Sequence, residues 1–156
     1  MKLKSPPIER LPGILVAGLV ALAVGAAGAA PATAATGADA SGATISGLDA
    51  VTHVKVSADG EHVYTAAPDS DAVAVFSRDQ STGELTFVEM LQDGGVDGQG
   101  NTIDGLARAG GLAVADDGGH VYVPSPDDTG IAIFGRNVST GELTFVEKIG
   151  DAMTDS

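Results

Sequence analysis

The nonapeptide STGELTFVE occupies residues 81–89 and recurs letter for letter at 139–147, an offset of 58. The correspondence is wider than those nine residues. Laying Val54–Met90 over Leu112–Lys148 at the same offset, without a gap, gives 20 identities in 37 positions. It continues upstream, where ISGLDAVTHVKVSADG (45–60) lies over IDGLARAGGLAVADDG (103–118). A tandem repeat of this kind constrains the fold more than any local signal. Each copy must be one supersecondary unit, and a unit this small buries its apolar surface only against neighbours of the same shape.

The unit reads as four short strands. Val54–Val56 and Leu112–Val114 come first, closed by the turns Ser57–Gly60 and Ala115–Gly118. An Asp-Gly pair suits such a turn, because Gly accepts positive φ and Asp hydrogen-bonds nearby backbone. His62–Ala66 and His120–Val123 form second strands, followed by the irregular segments Pro68–Asp71 and Pro126–Thr129. AVAVFS (72–77) and GIAIFG (130–135) alternate small with β-branched or aromatic residues, the period of a pleated strand. In the nonapeptide itself, Thr82-Gly83 turns the chain and Glu84–Glu89 alternates polar with apolar side chains, an outer strand with one wet face. The fold class expected is therefore all-β: four-stranded antiparallel meanders in series, the blades of a β-propeller. Blade 1 spans 45–91, a crossover loop 92–111, and blade 2 112–151, with 152–156 a tail that stops where a further crossover should begin. Closed propellers carry four to eight blades. Two blades leave two sheet faces uncovered, so the expectation is a fragment of a longer array, or a chain that completes a ring with other copies.

The N-terminus is of another kind. Lys2, Lys4 and Arg10 precede the uncharged run Ile14–Ala30, and Ala32-Thr33-Ala34 supplies small residues where a signal peptidase cuts. Residues 1–34 read as a secretory signal peptide, 35–44 as a flexible linker, and the protein as secreted or extracytoplasmic. The alternative is an uncleaved N-terminal membrane anchor. Without residues 1–34 the chain holds five Lys and Arg against twenty Asp and Glu. Such acidity argues against nucleic acid as a partner, and against a membrane surface after cleavage. There is no cysteine, so no disulfide supports the fold in an oxidising compartment.

VSADGEHVYTA, DAVAVFSRDQSTGELTFVE, DDGGHVYVPSPDD and IAIFGRNVSTGELTFVE together closely resemble the blade repeat of the lactonase-like β-propellers, a group related to the YVTN repeat proteins and to propeller-type 6-phosphogluconolactonases. The resemblance covers residues 45–150. It implies a full ring of about seven blades in the enzymes of the group, with acidic, basic and His residues converging at one end of the axis. No catalytic motif of the group matches a position here.

Opening a lactone requires a base to activate water and donors where the carbonyl oxygen gains charge. His62, His120, Arg78 and Arg136 have the right chemistry, but they occupy matching positions in both copies, and residues written into every blade read as scaffold. Residues that break the repeat are the better candidates: His53, Arg108 and Asp104, with Lys55 and Asp97 behind them. His53 and Arg108 precede first strands at the loop-rich end, where a pocket would open. The Gly-rich crossover also spaces Asp93, Asp97, Asn101 and Asp104, oxygen ligands of the kind Ca2+ takes, though in no established Ca2+-loop pattern. Asn137-Val138-Ser139 is a formal glycosylation sequon. No GxSxG, HExxH, P-loop or dinucleotide fingerprint is present. The leading expectation is an exported repeat protein acting as scaffold or binding surface, its partners further blades in cis or by self-association, with a small sugar or lactone as ligand. The alternative is a hydrolase that opens a sugar lactone once the ring is complete.

Overall fold

The computed structural model describes residues 37–39 and 41–151. The signal segment, 1–34, and the tail, 152–156, lie outside the described residues. Among the described residues no helix is long and apolar enough to cross a membrane.

Two four-stranded antiparallel sheets follow one another along the chain. The first comprises β1 (His53–Val56), β2 (His62–Ala67), β3 (Ala72–Arg78) and β4 (Leu85–Gln92). The second comprises β5 (Ala113–Val114), β6 (His120–Ser125), β7 (Gly130–Arg136) and β8 (Leu143–Gly150). In both, the strands pair in chain order, so each is an up-and-down meander. The registers correspond at the sequence offset: Val56 faces Val63 as Val114 faces Val121, and Phe76 faces Phe87 as Phe134 faces Phe145. These are two blades of a β-propeller.

The turns show why the nonapeptide is kept. At its head the Asp79 carboxylate accepts the N–H of Ser81 and of Thr82, and Gly83 then reverses the chain at φ 80°. Asn137 does the same for Ser139 and Thr140, with Gly141 at φ 80°. A side chain that mimics a turn carbonyl and a residue tolerant of positive φ are what this connection demands. The strand that follows is less regular than its alternation suggests. A bulge at Phe87–Glu89 inserts one residue opposite Val75–Phe76, and the same bulge recurs opposite Ile133–Phe134. It leaves the N–H of Phe87, and of Phe145, without a ladder partner. Asp39 Oδ2 accepts the first at 2.6 Å and Asp97 Oδ2 the second at 2.8 Å.

Of the stretch read as a flexible linker, 35–44, the described residues 37–39 and 41–44 include this contact of Asp39 with β4. Ala38 bridges Thr44 as Val96 bridges Thr102, so the described residues between 37 and 44 repeat the geometry of the crossover loop. Poor local identity hid the equivalence, since apart from Asp39, Gly42 and Thr44 the residues of 38–44 are exchanged for others at 96–102. The first strand of the second blade is also shorter than expected, because Pro124 stands where β2 has Ala66 and has no N–H to return across the ladder.

The core lies between the sheets. Tyr64, Val73, Val75 and Leu91 from the first face Val121, Val123, Phe134 and Leu143 from the second, with Ile103 and Leu106 of the crossover closing the joint. Each such side chain contributes roughly 1.5–3 kcal/mol when fully buried. A smaller cluster, Val63, Ala74 and Phe76 with Ile45, Leu85 and Phe87, occupies the opposite side of the first sheet. β1 is exposed along its length, because only one other described blade flanks that side.

Candidate functional site

Three places gather polar chemistry: the joint between the blades, the loop end, and the groove between the two first strands.

At the joint, Arg136 leaves the end of β7 and enters the first blade, its side chain 1% exposed. Each of its three guanidinium nitrogens has a partner. Nε donates to the Tyr64 hydroxyl at 2.6 Å, Nη1 to the Gly118 carbonyl at 3.0 Å, and Nη2 to Asp59 Oδ2 at 2.8 Å. Nη2 also lies 2.9 Å from His62 Nδ1. A guanidinium only donates, so Nδ1 of His62 accepts and the ring proton sits on Nε2. The Tyr64 hydroxyl in turn donates to the Gly141 carbonyl at 2.9 Å. Burial works against the charge of Asp59, but hydrogen bonds from the Ser57 hydroxyl, the Glu61 N–H and Arg136 outweigh it and hold the carboxyl well below the usual range. Burial pushes the Tyr64 phenol up. Above this group, Glu89 Oε1 accepts the Leu143 N–H at 2.7 Å, so the bulge has turned a residue expected on the wet rim onto the joint. A buried guanidinium without partners would cost several kcal/mol. Here its partners come from both blades, Tyr64, His62 and Asp59 of the first and Gly118 of the second, so the polar group locks one blade to the next.

At the loop end the sequence candidates are dispersed. His53 is exposed, its ring nitrogen 3.0 Å from the Thr52 hydroxyl. Arg108 takes a left-handed backbone, φ 53°, as its counterpart Ala50 does at 57°; the turn requires it. Its N–H donates to Asp71 Oδ1, and its guanidinium makes an exposed pair with Asp127 at 3.7 Å. Among the described residues no hydrogen bond or ion pair joins His53, Arg108 and Asp104 to one another.

The Ca2+ candidates separate into two groups. Asp97 accepts from the N–H of Gln99, Asn101 and Phe145 and from the Asn101 side chain, which commits both carboxylate oxygens to holding its own loop against β8. Burial opposes its charge, but the bonds from Asn101 and the backbone prevail and hold the carboxyl below its ordinary value. Asp93 and Asp104 do come together, joined by Asp128, which the sequence did not single out. Lys148 Nζ stands 2.7 Å from Asp104 and 3.6 Å from Asp128, so the cation facing this trio is the protein's own ammonium. The hydrogen bond to Asp104 raises the Lys148 pKa. Asp93 accepts from the Gly105 and Leu106 N–H, and Asp128 from that of Ala107.

The groove between the first strands, about 200 Å³, is lined by Lys55, Val56, Ala58, Val114, Ala115 and Asp116. It lies toward the tight turns, away from the loops where a pocket was expected. Sequence reasoning missed Asp59, Tyr64 and Glu89 as joint residues. Their signal was present: each is matched by an identical residue 58 positions on, at Asp117, Tyr122 and Glu147.

No family model matches the chain, and no curated protein does. Solved structures do. A Bacteroides fragilis protein named as a candidate 6-phosphogluconolactonase superposes with a TM-score of 0.54 at 25% identity, over 64% of this chain and 25% of its own. The periplasmic gluconolactonase PpgL of Pseudomonas aeruginosa gives 0.52 at 27% identity, over 64% of this chain and 26% of its own. A Lactobacillus plantarum protein gives 0.55 at 21% identity, which bears on the fold alone. The chain thus resembles lactonase-type β-propellers and spans about a quarter of their length.

Proposed function

We propose that this chain is an exported β-propeller repeat protein that acts as a scaffold and binding surface, resembling the lactonase-like and YVTN-type propellers. The observation that carries the reading is the use to which its polar residues are put. Asp59, His62, Tyr64 and Arg136 are engaged across the joint, while His53, Arg108 and Asp104 each have a separate local partner. A base whose ring nitrogen accepts from a buried guanidinium is poorly placed to activate water. The loops Ala67–Asp71, Pro124–Thr129 and 92–111, carried on a rigid β framework, are where a small sugar or lactone would bind. Export rests on residues 1–34, with cleavage near Ala34, and a membrane anchor as the alternative.

A second reading, hydrolysis of a sugar lactone, is favoured by the 27% identity to the periplasmic gluconolactonase. It requires His53, Arg108 and crossover acids to meet at the loop end of a completed ring. Purified protein incubated with glucono-δ-lactone and with 6-phosphogluconolactone separates the two. The scaffold reading expects opening no faster than in buffer. Turnover above buffer that is lost in Arg108→Ala would favour the hydrolase instead.

A further inference from the structure

We infer that Asn137, in the turn between β7 and β8, is a glycosylation site, whose side-chain amide takes an oligosaccharide from a lipid-linked donor once the chain has crossed the membrane. The inference rests on the export reading of residues 1–34. Asn137-Val138-Ser139 is the Asn-x-Ser triplet that a membrane oligosaccharide transferase accepts, with no Pro at its centre.

The two copies of this turn show that the fold does not require the amide. Asp79 stands at the matching position. Its carboxylate accepts the N–H of Ser81 at 2.7 Å and of Thr82 at 2.9 Å, whereas Asn137 Oδ1 accepts those of Ser139 and Thr140 at 3.0 and 3.3 Å. A charged acceptor makes the stronger bond, so Asp serves the turn at least as well. What Asn137 adds is Nδ2, and among the described residues no hydrogen bond uses it. The hydroxyls differ in the same sense. That of Ser81 donates to Asp79, while that of Ser139 has no partner among the described residues. Both groups that define the triplet are therefore open to a transferase. The chain's other asparagine supplies the contrast: Asn101 precedes Thr102-Ile103, which completes no triplet, and its Nδ2 donates to Asp97 Oδ2 at 2.8 Å.

Residues 137–140 are exposed, Val138 at 51%. Further blades leave them so. The first blade carries its turn, 79–82, with the second blade packed on one face of its sheet; the second blade carries 137–140 with the first packed on the opposite face. Both turns are exposed, so a neighbour on either side does not cover this position. The turn shares its end of the meander with the Asp-Gly turns and lies opposite Ala67–Asp71 and Pro124–Thr129, so a sugar attached there leaves those loops clear. In the transfer, Nδ2 bonds to the anomeric carbon of the donor as the bond from that carbon to the phosphate oxygen breaks. The lipid phosphate leaves with the electron pair, one amide proton passes to a base of the transferase, and nothing is oxidised or reduced.

The test is intact-mass and peptide mass spectrometry of the full chain recovered from the organism that makes it, with the cytoplasm separated from everything outside it. Protein from outside is expected to exceed its sequence mass by whole monosaccharide residues, all of them on the peptide that contains Asn137. Asn137→Asp keeps the turn in the form it has at Asp79 and should lose the excess with an unchanged β-sheet circular dichroism spectrum. Ser139→Ala keeps the amide and both backbone bonds and should lose it as well, which a different modification of the same asparagine would not do. Protein from outside the cytoplasm at its bare sequence mass, or an excess that survives Asn137→Asp or Ser139→Ala, overturns the inference and leaves the export reading standing. Protein confined to the cytoplasm overturns the export reading, and the inference with it.

Discussion

Asp97 illustrates how far one residue's role depends on where its oxygens end up. Read as a potential Ca2+ ligand in an acidic loop, it is a cap for the N–H that the bulge in β8 leaves orphaned at Phe145. Its counterpart Asp39 performs the same task at Phe87, where hydrogen bonds from the Ser41 hydroxyl and from Phe87 hold its pKa at about 2. A buried donor left without an acceptor costs about 1–3 kcal/mol. Asp97→Ala should therefore lower the urea midpoint by that equivalent, and Asp97→Asn, which keeps one acceptor oxygen, by less. Identical midpoints for Asp97→Ala and wild type would show that the bulge tolerates its free N–H. The sequence held the clue in the spacing of Asp39 and Asp97, but an Asp in a Gly-rich loop has several equally sound readings until its partner strand is known.

Among the elements, the Thr-Gly turns separate what the local chain requires from what the neighbouring blade requires. Gly83 and Gly141 share a left-handed backbone that disfavours any side chain. Only Gly141 also lies against His62 of the other sheet. Gly83→Ala should cost about 1–2 kcal/mol, the strain of the backbone alone. Gly141→Ala should cost that and more, since the inter-sheet contact must open. Thermal unfolding of the two variants in parallel checks this, and equal losses would mean that the joint accommodates a methyl group. The strands themselves were legible from alternation and turn residues, because those signals are local. The bulge was not, because an inserted residue is defined only against the partner strand.

For the whole molecule, four aspartates set the behaviour in acid. Asp39, Asp59, Asp79 and Asp97 all have carboxyls held below the ordinary value. A depressed folded-state pKa stabilises fully above the unfolded value, about 3.9 for Asp, and that stability is lost as pH falls through the folded value. Glu89 has the opposite sign, since burial raises its pKa and the fold gains slightly as it takes a proton. Relief of the net charge of −13 also favours the fold on moderate acidification. The melting temperature is therefore expected to peak near pH 5 and to fall steeply below about pH 4, where the unfolded chain takes up protons that the four folded carboxylates still resist. A melting temperature that keeps rising to pH 3 would refute the assignment of these carboxylates as structural anchors.

By itself the sequence determined the repeating unit, its four strands and their order, and the tightness of the Asp-Gly and Thr-Gly turns, because strand alternation, turn chemistry and tandem identity are all read over a few neighbouring residues. Only the tertiary structure decided that Arg136 of one blade is held by Asp59, His62 and Tyr64 of the other, that Asp39 and Asp97 cap bulges, and that Lys148 faces the acidic trio. These contacts join residues 20 to 77 positions apart. Whether such groups end as ligands, catalysts or fasteners depends on which sheet faces which, and that follows from packing rather than from any local pattern.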